Sequence, residues 1–153
     1  MRIFPLAIAA LIVGTVLPAF SAGAAGASNR VGADRTAPSA FNRLVIQINE
    51  DDGKKWMALL ANIKNIQAEL GKKNVAIAVV AIGSGLGMLK ADSVAANDVL
   101  DAIAGGVEFL ACGNSLQAQH LTADDLVAGV KIVKAGYVEI MKRQQAGWIY
   151  LRP

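Results

Sequence analysis

The strongest nucleophile in the chain is its single cysteine, Cys112, and its neighbours set what it can do. One thiol cannot close an intramolecular disulfide. In an oxidising compartment it is therefore buried, paired with another molecule, or reactive. Gly113, Asn114 and Ser115 follow it and suit an exposed turn between a strand and a helix. In that setting backbone N–H groups and the positive end of a helix dipole favour thiolate over thiol, and the thiolate is the form that attacks disulfides, persulfides and sulfane sulfur. A buried cysteine acting as a small hydrophobe fits the same pattern. The residues alone leave both readings open.

His120 is a possible assisting base for Cys112, as cysteine hydrolases require. It stands eight residues further on, roughly 12 Å along a continuous helix, so direct contact needs a bend. Gly83, Gly85 and Gly87 form a G-x-G-x-G loop. That spacing is neither the dinucleotide fingerprint nor a P-loop. The loop is expected to let backbone approach the thiol closely and to offer N–H groups to an anion, together with Gly113, Asn114 and Ser115. No cofactor is expected. One Cys and one His cannot build a closed metal site, so no metal is expected either. Asp51, Asp52, Asp124 and Asp125 read as helix starts rather than as a catalytic carboxylate pair.

The elements that must position these residues alternate along the chain. Leu44–Ile48 reads as a strand buried on both faces, followed by a helix from Lys54 with Trp56, Leu59, Leu60, Ile63, Ile66 and Leu70 at helical spacing. Asp51 or Asp52 can cap it and Gly71 end it. Val75–Ile82 reads as a second strand that delivers the glycine loop. A weaker helix is expected over Ser93–Ala104, with Val94, Leu100 and Ile103 inward. Val107–Ala111 is a third strand delivering Cys112. Helical stretches with Leu116 and Leu121 and from Thr122 onward follow. Val130–Val133 is a fourth strand, Tyr137–Gln145 a last helix and Trp148–Leu151 a last strand. The pattern predicts a doubly wound α/β fold, a mostly parallel sheet of about five strands flanked by helices. Ligands in such sheets gather at the carboxyl edge. The glycine loop and Cys112 are thus expected to be neighbours.

The start of the chain reads differently. Arg2, the apolar run Ile3–Leu17 and the small residues Ala19, Ser21, Ala22 and Ala24 have the order of a secretory signal. Residues 1–24 are expected to be that signal, 25–40 a flexible lead-in and 41–153 the folded domain. Cleavage would leave a periplasmic or secreted protein without a membrane anchor. The net charge of +3, one less without Arg2, carries no clustered basic footprint for nucleic acid.

A family resemblance joins these features. Val107–Leu116, with its strand ending in Ala111-Cys112 before a small turn, resembles the DsrE/DsrF-like pattern. Trp56 with Leu59-Leu60 and Asn62 to Asn65, the glycine loop Val79–Leu86, and Ala135-Gly136 through Gln144–Pro153 reinforce it, so the likeness runs from about Leu44 to Pro153. Lys134 stands where that pattern has proline. The resemblance implies a sulfur-relay protein in which Cys112 carries sulfur as a persulfide, a trimeric or hexameric assembly, and sulfur donor and acceptor proteins or small sulfur species as partners. A non-catalytic oligomeric binding module of the same fold and a redox-sensing thiol protein are the alternatives.

Overall fold

The computed structural model describes residues 41–153. The expected signal and lead-in lie outside the described residues. Strand β1, Asn42–Ile48, ends at Asn49–Asp52, where the Asp52 carboxylate accepts the N–H groups of Lys54 and Lys55 at 2.9 and 3.2 Å and starts helix α1, Gly53–Leu70. Such a cap satisfies donors that have no partner inside the helix. Gly71 ends it with φ of 83°, a conformation that favours glycine. Strand β2, Val75–Ala81, follows and leads into a 3-10 segment, Gly83–Leu89, that holds the glycine loop.

Helix α2 is Ala96–Ala104. It begins three residues later than the pattern suggested, because Ser93 forms a turn of its own: its hydroxyl accepts Ala95 N–H and its carbonyl accepts Ala96 N–H. The later start changes the phase. Val99 and Ala102 face the core with Ala95, while Val94 is 80% exposed, Leu100 is exposed and Ile103 is only half-buried. The expectation that Val94 and Leu100 point inward is corrected on that ground, whereas Ile103 packs against the core from its half-buried position.

Strand β3, Glu108–Cys112, runs straight into helix α3, Gly113–Ala118, so Gly113, Asn114 and Ser115 are a helical first turn and not an open one. A short 3-10 turn at Ala123–Asp125 follows, with Thr122 and Asp125 capping each other reciprocally. Strand β4 is Lys131–Val133, helix α4 Gly136–Gln145 and strand β5 Ile149–Leu151.

The five strands form one sheet, all parallel, in the order β4-β3-β2-β1-β5. Alternation along each strand divides the core in two. On one face Ile46, Ile48, Ile77, Val79 and Phe109 pack against α1 and α2. On the other Val45, Ala78, Val80, Ile82, Leu110 and Cys112 pack against Ile140 of α4, with Val133, Trp148 and Tyr150 at the margin. Arg143 pins α4 to that face: it binds Glu139 at 2.8 Å and Glu108 of β3 at 2.6 Å, and stacks on Trp148 at 4.5 Å. Among the described residues no helix is long and apolar enough to cross a membrane.

Candidate functional site

The carboxyl edge of the sheet brings Cys112 and the glycine loop together. Being the last residue of β3, Cys112 directs its side chain toward the α4 face, and it is also the residue that precedes α3. It is 4% exposed. The sulfur is nevertheless not enclosed by hydrocarbon alone. Gly136 N–H, the first of α4, donates to Sγ at 3.2 Å. Two helices thus begin near one sulfur, and the α4 end, whose first N–H reaches it, favours negative charge there.

Close approach makes that contact. A Cβ on Gly136 would lie 2.7 Å from Ile82 Cγ1 and 3.2 Å from Cys112 Cβ, so only glycine lets α4 start against β2 and β3 at this depth. Gly113 serves the β4 side in the same way, where a Cβ would come within 3.1 Å of the Val133 carbonyl oxygen.

Ser115 supplies the second polar contact. Its hydroxyl oxygen accepts Gly83 N–H at 2.9 Å, which leaves its proton free to turn toward Cys112. Gln119 fastens the same corner, donating to the Gly83 carbonyl at 2.7 Å. Burial pushes the Cys112 thiol up. The Ser115 hydroxyl, Gly136 N–H and the N–H groups of Ser115 and Asn114 outweigh it, so the thiol is held below its ordinary value. Of these donors Gly136 makes the bond of good geometry, whereas α3's own first-turn amides form no capping bond to the side chain, and Asn114 N–H goes to the Lys134 carbonyl at 3.3 Å.

The remaining sequence candidates fall as follows. Gly83 has φ of 57°, and its N–H is taken by Ser115; Gly85 N–H is taken by the Ile82 carbonyl. Both amides serve the scaffold. Gly85 also seats the loop on β1, where a Cβ would stand 2.4 Å from the Ile48 carbonyl oxygen. Gly87 lines a separate cavity of about 470 Å³ shared with Asp51, Trp56, Lys90 and Asp92, in which Lys90 pairs with Asp92 at 3.1 Å. His120 is exposed, with φ of 55°, beyond the far end of α3. No hydrogen bond joins it to Cys112 among the described residues. No group of three or more His, Cys, Asp or Glu among the described residues is placed to hold a metal ion.

Gly136 is the functional residue that sequence reasoning missed. Its signal was faint: a glycine immediately before the expected start of the last helix, in a pair with Ala135. Asn49, just after β1, was missed as well; its Oδ1 is buried without a hydrogen-bond partner among the described residues, beside Ser84, whose hydroxyl donates to the Asn49 carbonyl at 2.8 Å.

Comparison with known proteins places this geometry among solved folds. No protein-family model matches the sequence, and no curated protein matches it. Among solved structures the chain is similar to MTH1491 from Methanobacterium thermoautotrophicum, described as a protein of unknown function, at 40% identity over 73% of this chain and 99% of that one, with a TM-score of 0.70. It is similar to BT1422 from Bacteroides thetaiotaomicron, likewise described as of unknown function, at 17% identity over 76% and 99%, with a TM-score of 0.62. The ychN protein from E. coli, whose fold is DsrE-like, matches at 13% identity over 73% and 99%, with a TM-score of 0.63. The last two likenesses concern the fold alone.

Proposed function

The chain belongs to the family that includes MTH1491 of Methanobacterium thermoautotrophicum, and from that premise we propose that it is a sulfur carrier of the DsrE/DsrF-like kind, with Cys112 accepting and donating sulfane sulfur as a persulfide. One observation carries the reading: Gly136 N–H at 3.2 Å, with Ser115 beside it, solvates the sulfur in a site that is otherwise dry. A structural cysteine has no use for donors, since a neutral thiol gains little from them, whereas a thiolate or a persulfide anion gains about 1.5–3 kcal/mol from each bond to its charge. Gly113 serves the site by letting α3 start close against β4, Gly83 by its N–H bond to the Ser115 hydroxyl at 2.9 Å, and Asn114 stands at the outer edge.

The test is the mass of the intact protein after incubation with polysulfide. The expected result is a gain of one sulfur atom that dithiothreitol removes and that Cys112→Ser abolishes. A protein that gains no sulfur, or a Cys112→Ser variant that gains as much, would overturn the reading.

A second reading rests on the 4% exposure of Cys112: a non-catalytic binding module that keeps the fold and buries its thiol. It predicts labelling by a thiol reagent only when denaturant is present. The carrier predicts labelling of the native protein, fastest where the thiolate is populated.

Export and assembly complete the proposal. The order of Arg2, the apolar run Ile3–Leu17 and the small residues after it supports a periplasmic or secreted location. Exposed Ile149 and Leu151 on edge strand β5 support a homo-oligomer, for which the DsrE/DsrF-like resemblance implies a trimer or hexamer. Fractionation of the producing cells and light scattering of the purified protein check these two points.

A further inference from the structure

A cavity of about 340 Å³ opens beside the N-terminal turns of α3 and α4, with Asn114, Lys134, Ala135, Glu139 and Lys142 on its wall. Cys112 is not on that wall, but residues next to it are. Val133, also on the wall, pairs with Cys112 in the sheet, and Ala135 is the residue before Gly136, whose N–H reaches Sγ. The charge on this wall is not balanced. Glu139, its carboxylate, is held by Arg143 at 2.8 Å, while Lys134 and Lys142 have no ion pair among the described residues. The cavity therefore presents two free cations next to the start of a ten-residue helix, α4.

Size adds a second constraint. Cys112 is 4% exposed, and a thiol on the surface of another folded protein is tied to a backbone that cannot follow it into so small a space. A small ion is not so tied. We propose that this cavity docks a small inorganic anion bearing sulfane sulfur, with thiosulfate as its probe, and that Lys134 and Lys142 hold it before its outer sulfur passes to Cys112. The inference rests on the persulfide reading and names the class of donor.

The transfer balances without a further reagent. The Cys112 thiolate attacks the outer sulfur of thiosulfate. A bond forms between Sγ and that sulfur, the sulfur–sulfur bond of thiosulfate breaks, and sulfite leaves with the electron pair. The products are a cysteine persulfide anion and sulfite. Total charge is unchanged, and no proton, oxidant or reductant enters.

Binding and transfer are tested apart. In the full chain carrying Cys112→Ser, calorimetry should show saturable thiosulfate binding that weakens with salt, and K134Q with K142Q should weaken it about tenfold. Both lysines are exposed, so the double variant is expected to fold. An absence of binding, or binding that ignores the two substitutions, overturns the docking site whatever Cys112 does. In the wild-type chain, thiosulfate should add one sulfur to Cys112, and a neutral organic trisulfide should leave its RSS group there as a mixed trisulfide while a thiolate departs. The double variant should slow the thiosulfate route about tenfold and leave the trisulfide route unchanged. Addition from trisulfide alone overturns the docking site and spares the carrier. Addition from neither donor overturns the carrier, and the calorimetry then decides the site.

Discussion

Replacing Gly136 by alanine perturbs the sulfur's environment without touching the thiol. Its added Cβ would meet Ile82 Cγ1 at 2.7 Å, Ile82 Cδ1 at 3.0 Å and Cys112 Cβ at 3.2 Å. Cys112 belongs to β3 and Ile82 directly follows β2, so the first turn of α4 must move outward. Alanine is the better helix former, and Gly136 is not among the positive-φ glycines. The whole cost is therefore crowding, about 1–3 kcal/mol. The same movement lengthens the N–H contact to Sγ, now 3.2 Å. A hydrogen bond to a charged acceptor contributes about 1.5–3 kcal/mol, and about 1.4 kcal/mol corresponds to one pH unit of titration. With the contact weakened, the thiol should titrate at higher pH than in the wild type. Thiolate absorbance and the pH dependence of alkylation both read this midpoint, and urea unfolding reads the stability. The native thiol is held below its ordinary value, so unfolding takes up a proton in the window between the two values. Stabilisation from the thiolate is then full above the unfolded value and is lost as pH falls through the folded one. The stability advantage of wild type over Cys112→Ser should thus grow as pH rises through that window, and it should grow less in the Gly136→Ala background. An unchanged midpoint in a protein destabilised as expected would refute the argument that this N–H sets the charge on the sulfur.

Ser115→Ala removes a hydroxyl that favours the thiolate and that accepts Gly83 N–H at 2.9 Å; the thiol midpoint should rise, and the orphaned amide should cost about 1–3 kcal/mol in urea unfolding. Gly85→Ala places a Cβ 2.4 Å from the Ile48 carbonyl oxygen, where backbone must yield; a loss of about 3 kcal/mol is expected, with a drop in thermal midpoint that Gly105→Ala, whose nearest contact is 3.2 Å, does not match. For Glu108, burial raises the carboxyl pKa, but the ion pairs with Lys131 and Arg143 win and hold it below the ordinary range. Its contribution is present above the unfolded carboxylate value and is lost as pH falls through the lowered one. Glu108→Gln should therefore cost about 1–2 kcal/mol at neutral pH, and its stability curve should converge with that of wild type in acid.

Much of the architecture was legible before any coordinates. Each strand and helix carries its period in its own residues: Leu44–Ile48 and Val75–Ile82 are unbroken apolar runs, and Trp56 to Leu70 repeats at helical spacing. Local periodicity depends on which face of an element is dry, and that is a property of neighbouring residues. Alternation of the two periods then forces parallel pairing, which the sheet displays in all four strand pairs. The boundary of α2 was less legible, because a Ser93 side chain competing for backbone N–H groups resets the helical phase and turns Val94 to solvent.

The position of Cys112 at the end of β3 and its nearness to the glycine loop were likewise fixed by order along the chain, since successive parallel strands put their carboxyl ends on one edge. The charge state of the sulfur was not. It depends on Gly136, 24 residues away, on how deeply α4 settles against Ile82, and on a Ser115 hydroxyl oriented by Gly83 from the neighbouring strand's loop. Hydrogen bonds act over about 3 Å. No periodicity in a linear sequence specifies which distant amide will arrive within that range, so the tertiary packing of α3 and α4 decided whether a buried thiol is a hydrophobe or a solvated anion.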